Sequence, residues 1–174
     1  MSKKKERHLH NAIIPFEYNK KNLSLSTDVR IYRDCALLSI GEWTDSISRT
    51  PIEYTEKALE QGATNWEENY LNVDHSFETR NRLGFVTNPY YKNGKVYGDL
   101  NIFPITTVAK DIIALIDAGL VNWISVELTS EDEWTDEKIL ANNICFLGAA
   151  VVLYPACSDG TYIKEDGPQA YGSR

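Results

Sequence analysis

An almost unbroken apolar run, ICFLGAAVVLY at residues 144–154, constrains the fold of this chain more than any other feature. The run is too short to span a bilayer as a helix, and its aliphatic and β-branched residues are typical of a buried strand. We therefore expect it to lie at the centre of a sheet. Gly148, Ala149 and Ala150 make its middle thin, which predicts that another part of the protein approaches its backbone closely.

Shorter segments predict the elements around this strand. A helix at 50–61 is indicated by Thr50 as N-cap, Pro51 as its first residue, Glu53 completing a capping box and Gly62 after its end. Further predicted elements are strands at 35–43, 69–74, 83–86, 96–103 and 123–129, a hairpin turn at 93–94, a helix at 106–118, and a solvated loop or hairpin tip at the acidic segment 131–137. Because strands and helices do not alternate regularly, the predicted class is α+β with a mostly antiparallel sheet or barrel.

Composition and charge narrow the classes of function. The net charge of -7 and the pI of about 5.0 argue against a nucleic-acid-binding body, which would carry a basic patch. No apolar stretch has the length of a membrane span, and no signal-peptide h-region follows the basic start. The three cysteines form no CxxC pair, which fits a reducing cytosol and argues against a structural zinc site.

The two ends of the chain differ from its body. Residues 1–33 are predicted to form an N-terminal arm, basic at its start and disordered in part, and residues 165–174 to form a flexible tail. The segment 34–164 between them has the composition of one globular domain with a core of its own.

Ser125 is the candidate nucleophile. It is a small polar residue inside the predicted strand 123–129, where its hydroxyl needs a hydrogen-bond partner. That partner is either a neighbouring backbone group or an imidazole that activates the serine. His75 is the one histidine outside the N-terminal arm, and histidine has a suitable pKa for a general base. One serine and one histidine are weak evidence by themselves.

Several sequence blocks make this pair more specific. They are DH at 74–75, LGFV at 83–86, VYGDL at 96–100, WISVEL at 123–128, and FLGAAV at 146–151 followed by Pro155-Ala156. In this order they resemble the phage capsid scaffolding serine proteases, also called prohead or capsid maturation proteases, which are similar to the herpesvirus assemblins. The resemblance covers residues 37–162, and it implies a small, mostly antiparallel β-barrel surrounded by a few helices.

The resemblance also implies site residues. The family's histidine falls on His75 and its serine on Ser125, and its carboxylate, upstream after the first strand, falls on Asp45. Glu127 is the runner-up for the third position, because it shares a strand face with Ser125. Other branches of the family place a carboxylate where this chain has Gly148.

Two aspartates are further candidates for the third member of a catalytic triad with Ser125 and His75. Asp74 is expected to point away from His75 if both lie in a regular strand, and Asp159 is a further candidate. The loop containing Ser158, Asp159 and Gly160 either supplies oxyanion or substrate contacts through its backbone amides or is a plain turn.

The function implied is a serine endopeptidase that needs no metal or cofactor and cleaves scaffold protein, capsid protein and itself. Its partners would be scaffold and major capsid proteins and other copies of itself, with no nucleic acid and no membrane. Its location would be inside the procapsid, in the cytoplasm of the infected host cell. The alternative is a catalytically weak or inactive assembly or scaffold protein that keeps the fold.

Overall fold

The computed structural model describes residues 29–44, 49–157 and 161–164. The described residues form eight strands, two α-helices and a short 3₁₀ helix at Thr79–Asn81. The strands are β1 (Arg30–Ser39), β2 (Gly41–Trp43), β3 (Ile52–Tyr54), β4 (Trp66–Val73), β5 (Arg82–Lys92), β6 (Lys95–Ile102), β7 (Trp123–Trp134) and β8 (Ile139–Val152). The helices are α1 (Glu56–Gly62) and α2 (Thr107–Asp117). Neither of these helices has the length and apolarity that a membrane crossing requires.

All eight strands belong to one curled sheet that forms a half-barrel. The strand order is β1-β6-β5-β4-β8-β3-β2, and β7 pairs with the other edge of β8. Only the β3–β8 and β4–β8 pairs are parallel, so the sheet is mostly antiparallel, as predicted. The path of paired strands ends at β1 and β2 within the described ranges, so the fold agrees with the α+β class as a half-barrel rather than a closed ring.

Strand β8 is central, which confirms the prediction made from its apolar run. It pairs with β7 along nearly its whole length, with β3 near its start and with β4 near its end. Alternate residues of these strands bury aliphatic side chains in the core, among them Leu71, Ile124, Ala149 and Val151. The opposite face of β4, β8 and β7 is therefore free to carry polar side chains.

The predicted helix at 50–61 is wrong in its first half. Residues 52–54 form β3, which pairs with β2 and with the start of β8. The helix begins at Glu56, and the cap is Thr55, whose hydroxyl oxygen accepts a hydrogen bond from the amide of Ala58 at 3.2 Å. The local capping signals at residues 50–53 were outweighed by sheet pairing with strands distant in sequence.

Gly62 is the last helical residue of α1 rather than the residue that follows it, so this prediction also fails. A Cβ at this position would lie 2.9 Å from Cβ of Ile144 in β8. The glycine is therefore used for close packing of the helix on the central strand.

The prediction of a loop or hairpin tip at the acidic segment 131–137 is confirmed only for its last residues, which belong to the tip between β7 and β8. Residues 131–134 continue β7 and pair with β8, which begins at Ile139, five residues before the apolar run. Only the short connection at 135–138 is a turn. Strand β1 likewise begins at Arg30, so residues 30–33 of the predicted N-terminal arm belong to the sheet.

Two predicted elements are confirmed, the hairpin turn at 93–94 and the helix at 106–118. Asn93 and Gly94 have positive φ angles of 49° and 80° and connect β5 to β6 as a hairpin. Helix α2 is capped by Thr106, whose hydroxyl accepts from the amide of Ala109 at 3.0 Å.

Candidate active site

Strand β7 presents Ser125 and Glu127 on one face. Side chains alternate along a strand, so Ile124 and Val126 point the other way: Ile124 is buried in the core, and Val126 packs against it. In the ladder with β8, Ser125 lies opposite Ala150 and Glu127 lies opposite Gly148. The two polar side chains thus lie over the thinnest part of the central strand.

Strand β4 extends the same face on the other side of β8. Tyr70 is the β4 partner of Gly148, and Asn72 is the partner of Ala150. Two rows therefore cross the three strands: one joins Tyr70 to Glu127 over Gly148, and the other joins Asn72 to Ser125 over Ala150.

The thin centre of β8 accommodates the ring of Tyr70, which confirms the predicted close approach. A Cβ at position 148 would lie 2.4 Å from ring carbons of Tyr70 and 2.6 Å from its carbonyl oxygen. The phenol lies over Gly148, and its hydroxyl donates a short hydrogen bond to Oε2 of Glu127. A glycine at this position is therefore what lets a side chain of β4 reach one of β7.

His75 is positioned by a tight turn after β4. The amide of Ser76 donates to the carbonyl of Val73 at 2.9 Å, and the central residues Asp74 and His75 have φ angles of 49° and 56°. Aspartate and histidine are among the residues that tolerate this left-handed region best. The predicted strand at 69–74 ends one residue earlier, at Val73, so Asp74 and His75 do not lie in a regular strand and the condition for their pointing oppositely is not met.

The imidazole of His75 and the carboxylate of Glu127 are hydrogen-bonded, with Nδ1 and Oε1 2.8 Å apart. The side chain of Glu127 is 17% exposed and that of His75 is 39% exposed. Since an ionised carboxylate only accepts hydrogen bonds, Nδ1 carries the hydrogen that is donated to Glu127. In the neutral ring this leaves Nε2 as an acceptor, which is the form that a general base requires.

Glu127 remains ionised in spite of its burial. Burial by itself would raise the pKa of its carboxyl group, but the hydrogen bonds from His75 and Tyr70 outweigh that effect, and the pKa is lowered overall. The positive charge of Arg82 acts in the same direction. The carboxylate is thus available to orient the imidazole down to acidic pH.

A cavity of about 1090 Å³ adjoins these residues, and His75, Ser125 and Glu127 all line it. Its remaining wall is largely apolar and includes Leu37 of β1 and Leu128 of β7. Ser125 and His75 line this cavity without a hydrogen bond between them in this structure. Catalytic hydrogen bonds of this kind are often long in a substrate-free protein and tighten when substrate binds.

The structure brings together some of the residues singled out in the sequence. Ser125, His75 and the runner-up Glu127 lie at one cavity, whereas Asp45, Ser158, Asp159 and Gly160 lie outside the described residues. Thr44, Cys157 and Thr161, which flank those segments in the sequence, line the same cavity.

Tyr70 and Asn72 were missed by the sequence analysis. Both lie in a segment predicted to be a strand, but only its register with β8 shows that they face Glu127 and Ser125 across small residues. Asn72 is buried, and its Nδ2 has no hydrogen-bond partner among the described residues.

Gly148→Ala should destabilise the protein by about 1 to 3 kcal/mol, the usual cost of overpacking a tight site. The added methyl group would meet the Tyr70 ring, so the cost should shrink when the same change is made in a Tyr70→Ala background. Urea unfolding of the four proteins in this double-mutant cycle measures both quantities. Equal costs in the two backgrounds would show that the ring does not limit the space at position 148.

Comparison with known proteins identifies a solved structure with a similar fold. No protein-family model and no curated protein matches the amino-acid sequence. Among solved structures, the capsid assembly protease of bacteriophage T4 superposes with a TM-score of 0.51 and 11% identity, covering 75% of this chain and 99% of that one. This protein therefore shares the fold of a phage capsid assembly protease.

Proposed function

We propose that this protein is a serine endopeptidase of phage procapsid maturation, with Ser125 as nucleophile, His75 as general base and Glu127 as the orienting carboxylate. The observation that carries the proposal is the hydrogen bond between His75 and Glu127 at the cavity that Ser125 lines. The fold shared with a capsid assembly protease supports the choice of a peptide substrate.

The third member of the triad is assigned here to Glu127 in preference to Asp45. Glu127 holds Nδ1 of His75 from the same strand face that carries Ser125. Other branches of the resembled family place a carboxylate at position 148, and in this chain Glu127 on the neighbouring strand pairs with Gly148 at that position.

The chemistry proceeds in two stages, acylation of Ser125 and hydrolysis of the acyl-enzyme. Oγ of Ser125 attacks the scissile carbonyl carbon while its proton passes to Nε2 of His75, and Glu127 stabilises the imidazolium that forms. The C–N bond then breaks as Nε2 returns the proton to the leaving amine. Water, activated by the same imidazole, attacks the acyl-enzyme, releases the new carboxyl end and restores the Ser125 hydroxyl.

The oxyanion of each tetrahedral intermediate needs backbone donors close to Ser125. We assign this role to the segment containing Ser158, Asp159 and Gly160. The cavity-lining positions of Cys157 and Thr161, which flank it, support this assignment. The substrates are scaffold and major capsid proteins and the chain itself, inside the procapsid in the host cytoplasm.

A fluorophosphonate probe tests the proposal directly, because it reacts with an activated serine. The folded protein should be labelled at Ser125, and Ser125→Ala should abolish labelling. Ser130→Ala is the matched control, since Ser130 lines the same cavity and its hydroxyl is hydrogen-bonded to Asp132 at 2.7 Å.

The alternative is an assembly protein that keeps the fold without efficient catalysis. The observation that favours it is the glycine at position 148, where other branches of the resembled family place a carboxylate. A folded protein that is not labelled would support this alternative against the protease. Equal labelling after Ser125→Ala would mean that another residue reacts, and it would refute the assignment of Ser125 as nucleophile.

A further inference from the structure

Tyr70 holds the oxygen of Glu127 that His75 leaves free. His75 contacts Oε1, and the Tyr70 hydroxyl contacts Oε2, so each oxygen of the carboxylate is held by a different donor. The phenol reaches Glu127 only because position 148 between them has no side chain. Tyr70 is not among the residues that line the cavity, so it has no direct access to a bound substrate there.

The Tyr70 ring is itself held on two sides. The guanidinium of Arg82 lies 5.0 Å from the ring centroid, and the ring of Phe77 packs edge-on at 5.7 Å between centroids. Phe77 follows the His75 turn and also lines the cavity, so the same short segment contacts both the tyrosine and the site. A ring held in this way loses little conformational entropy when its hydroxyl bonds to Glu127.

The Tyr70 hydroxyl remains a donor throughout the pH range in which a protease works. Burial raises the pKa of Tyr70 well above its usual value, and the hydrogen bond to Glu127 and the charges of Glu127 and Glu68 raise it further. Arg82 opposes this effect, but the net direction is upward. A neutral phenol can therefore donate to the carboxylate without itself ionising.

We infer that Tyr70 is a positioning residue that locks the Glu127 carboxylate in the orientation from which it holds Nδ1 of His75. This inference rests on the proposed function, because the orientation of His75 matters only if the imidazole serves Ser125. Tyr70 acts through Glu127 and His75 and does not contact the Ser125 hydroxyl or the scissile bond.

Tyr70→Phe removes the hydroxyl and keeps the ring over Gly148. Since a hydrogen bond to a charged group is lost, kcat/KM should fall about tenfold to a hundredfold. The loss should appear in kcat with KM nearly unchanged, because Tyr70 does not line the cavity. An assay on a scaffold-derived peptide measures both constants.

Tyr32→Phe is the matched control. Its hydroxyl also donates to a carboxylate, Asp117 at 2.9 Å, but on β1 and α2 rather than at the site. This variant loses the same type of hydrogen bond and should keep kcat and KM. If both variants lost activity equally, the effect would be one of general stability and the positioning role would be refuted.

A second measurement does not depend on activity. In a Ser125→Ala background, ¹⁵N NMR should show neutral His75 with its hydrogen on Nδ1, and Tyr70→Phe should give a mixture of the two tautomers. In ¹³C NMR the carboxyl group of Glu127 should titrate at higher pH in Tyr70→Phe, because a hydrogen bond that lowers its pKa is lost.

The two measurements separate the inference from the proposed function. Unchanged NMR spectra together with unchanged kcat in Tyr70→Phe would overturn the role of Tyr70 while leaving the protease intact. Altered NMR spectra in a protein that cleaves no peptide would uphold the control of His75 by Tyr70 and refute the protease.

Discussion

Ser125→Ala should lower turnover of a scaffold or capsid peptide by about a millionfold, the typical cost of removing a triad nucleophile. Alanine cannot form the acyl-enzyme, and the remaining groups only position water and polarise the carbonyl. The fold should survive, because the residue lies opposite Ala150 on the polar face of β7 and losing one hydroxyl costs about 1 kcal/mol.

The measurement is cleavage of the natural substrate by the purified variant, with thermal unfolding to confirm that it is folded. Ser130→Ala should keep near-native turnover. Ser130 lines the same cavity, but its hydroxyl is hydrogen-bonded to Asp132 and has no imidazole partner among the described residues to activate it. Undiminished cleavage by Ser125→Ala would remove the basis of the serine mechanism.

The sequence was informative wherever a local signal and the tertiary structure agree. The apolar run that became β8, the hairpin turn at Asn93-Gly94 and the capped helix α2 all depend on residues close together in the chain. Ser125 and Glu127 could be assigned to one face of β7 because strand alternation is also a local property.

The sequence was misleading where distant pairing decided the structure. Residues 50–53 carry good capping chemistry, yet Ile52 and Tyr54 pack against the core as a strand beside β8. The acidic residues 131–133 suggest a loop, but the long ladder with β8 keeps them extended. Propensity and charge are weak signals against the pairing of two long strands.

The contact between Tyr70 and Glu127 is the clearest example of a feature that could not be predicted from the sequence. It depends on the register of β4 against β8 and of β8 against β7, which together place Gly148 between the two residues. A one-residue slip in either pairing would move one side chain to the opposite face of the sheet. The thin centre of β8 was visible in the sequence, but the residue that occupies it was not.

Glu127→Gln should lower kcat about ten-thousandfold, the usual cost of removing the carboxylate of a triad. The amide is nearly isosteric, but it cannot stabilise the imidazolium, and it has one accepting oxygen for the two donors His75 and Tyr70. If its NH₂ group faces His75, the imidazole must adopt the tautomer that leaves Nε2 protonated, which blocks it as a base. Asp45→Asn should retain near-native kcat.

The pair of variants also discriminates between the remaining mechanisms. Collapse of activity in Asp45→Asn with full activity in Glu127→Gln would return the third position to Asp45, and the bond between His75 and Glu127 would then be structural. Near-native kcat in both variants would indicate a Ser125–His75 dyad, with a backbone carbonyl or water holding Nδ1. Since Glu127 is the carboxylate that contacts Nδ1 in this structure, and its lowered pKa keeps it ionised, we expect the activity to depend on Glu127.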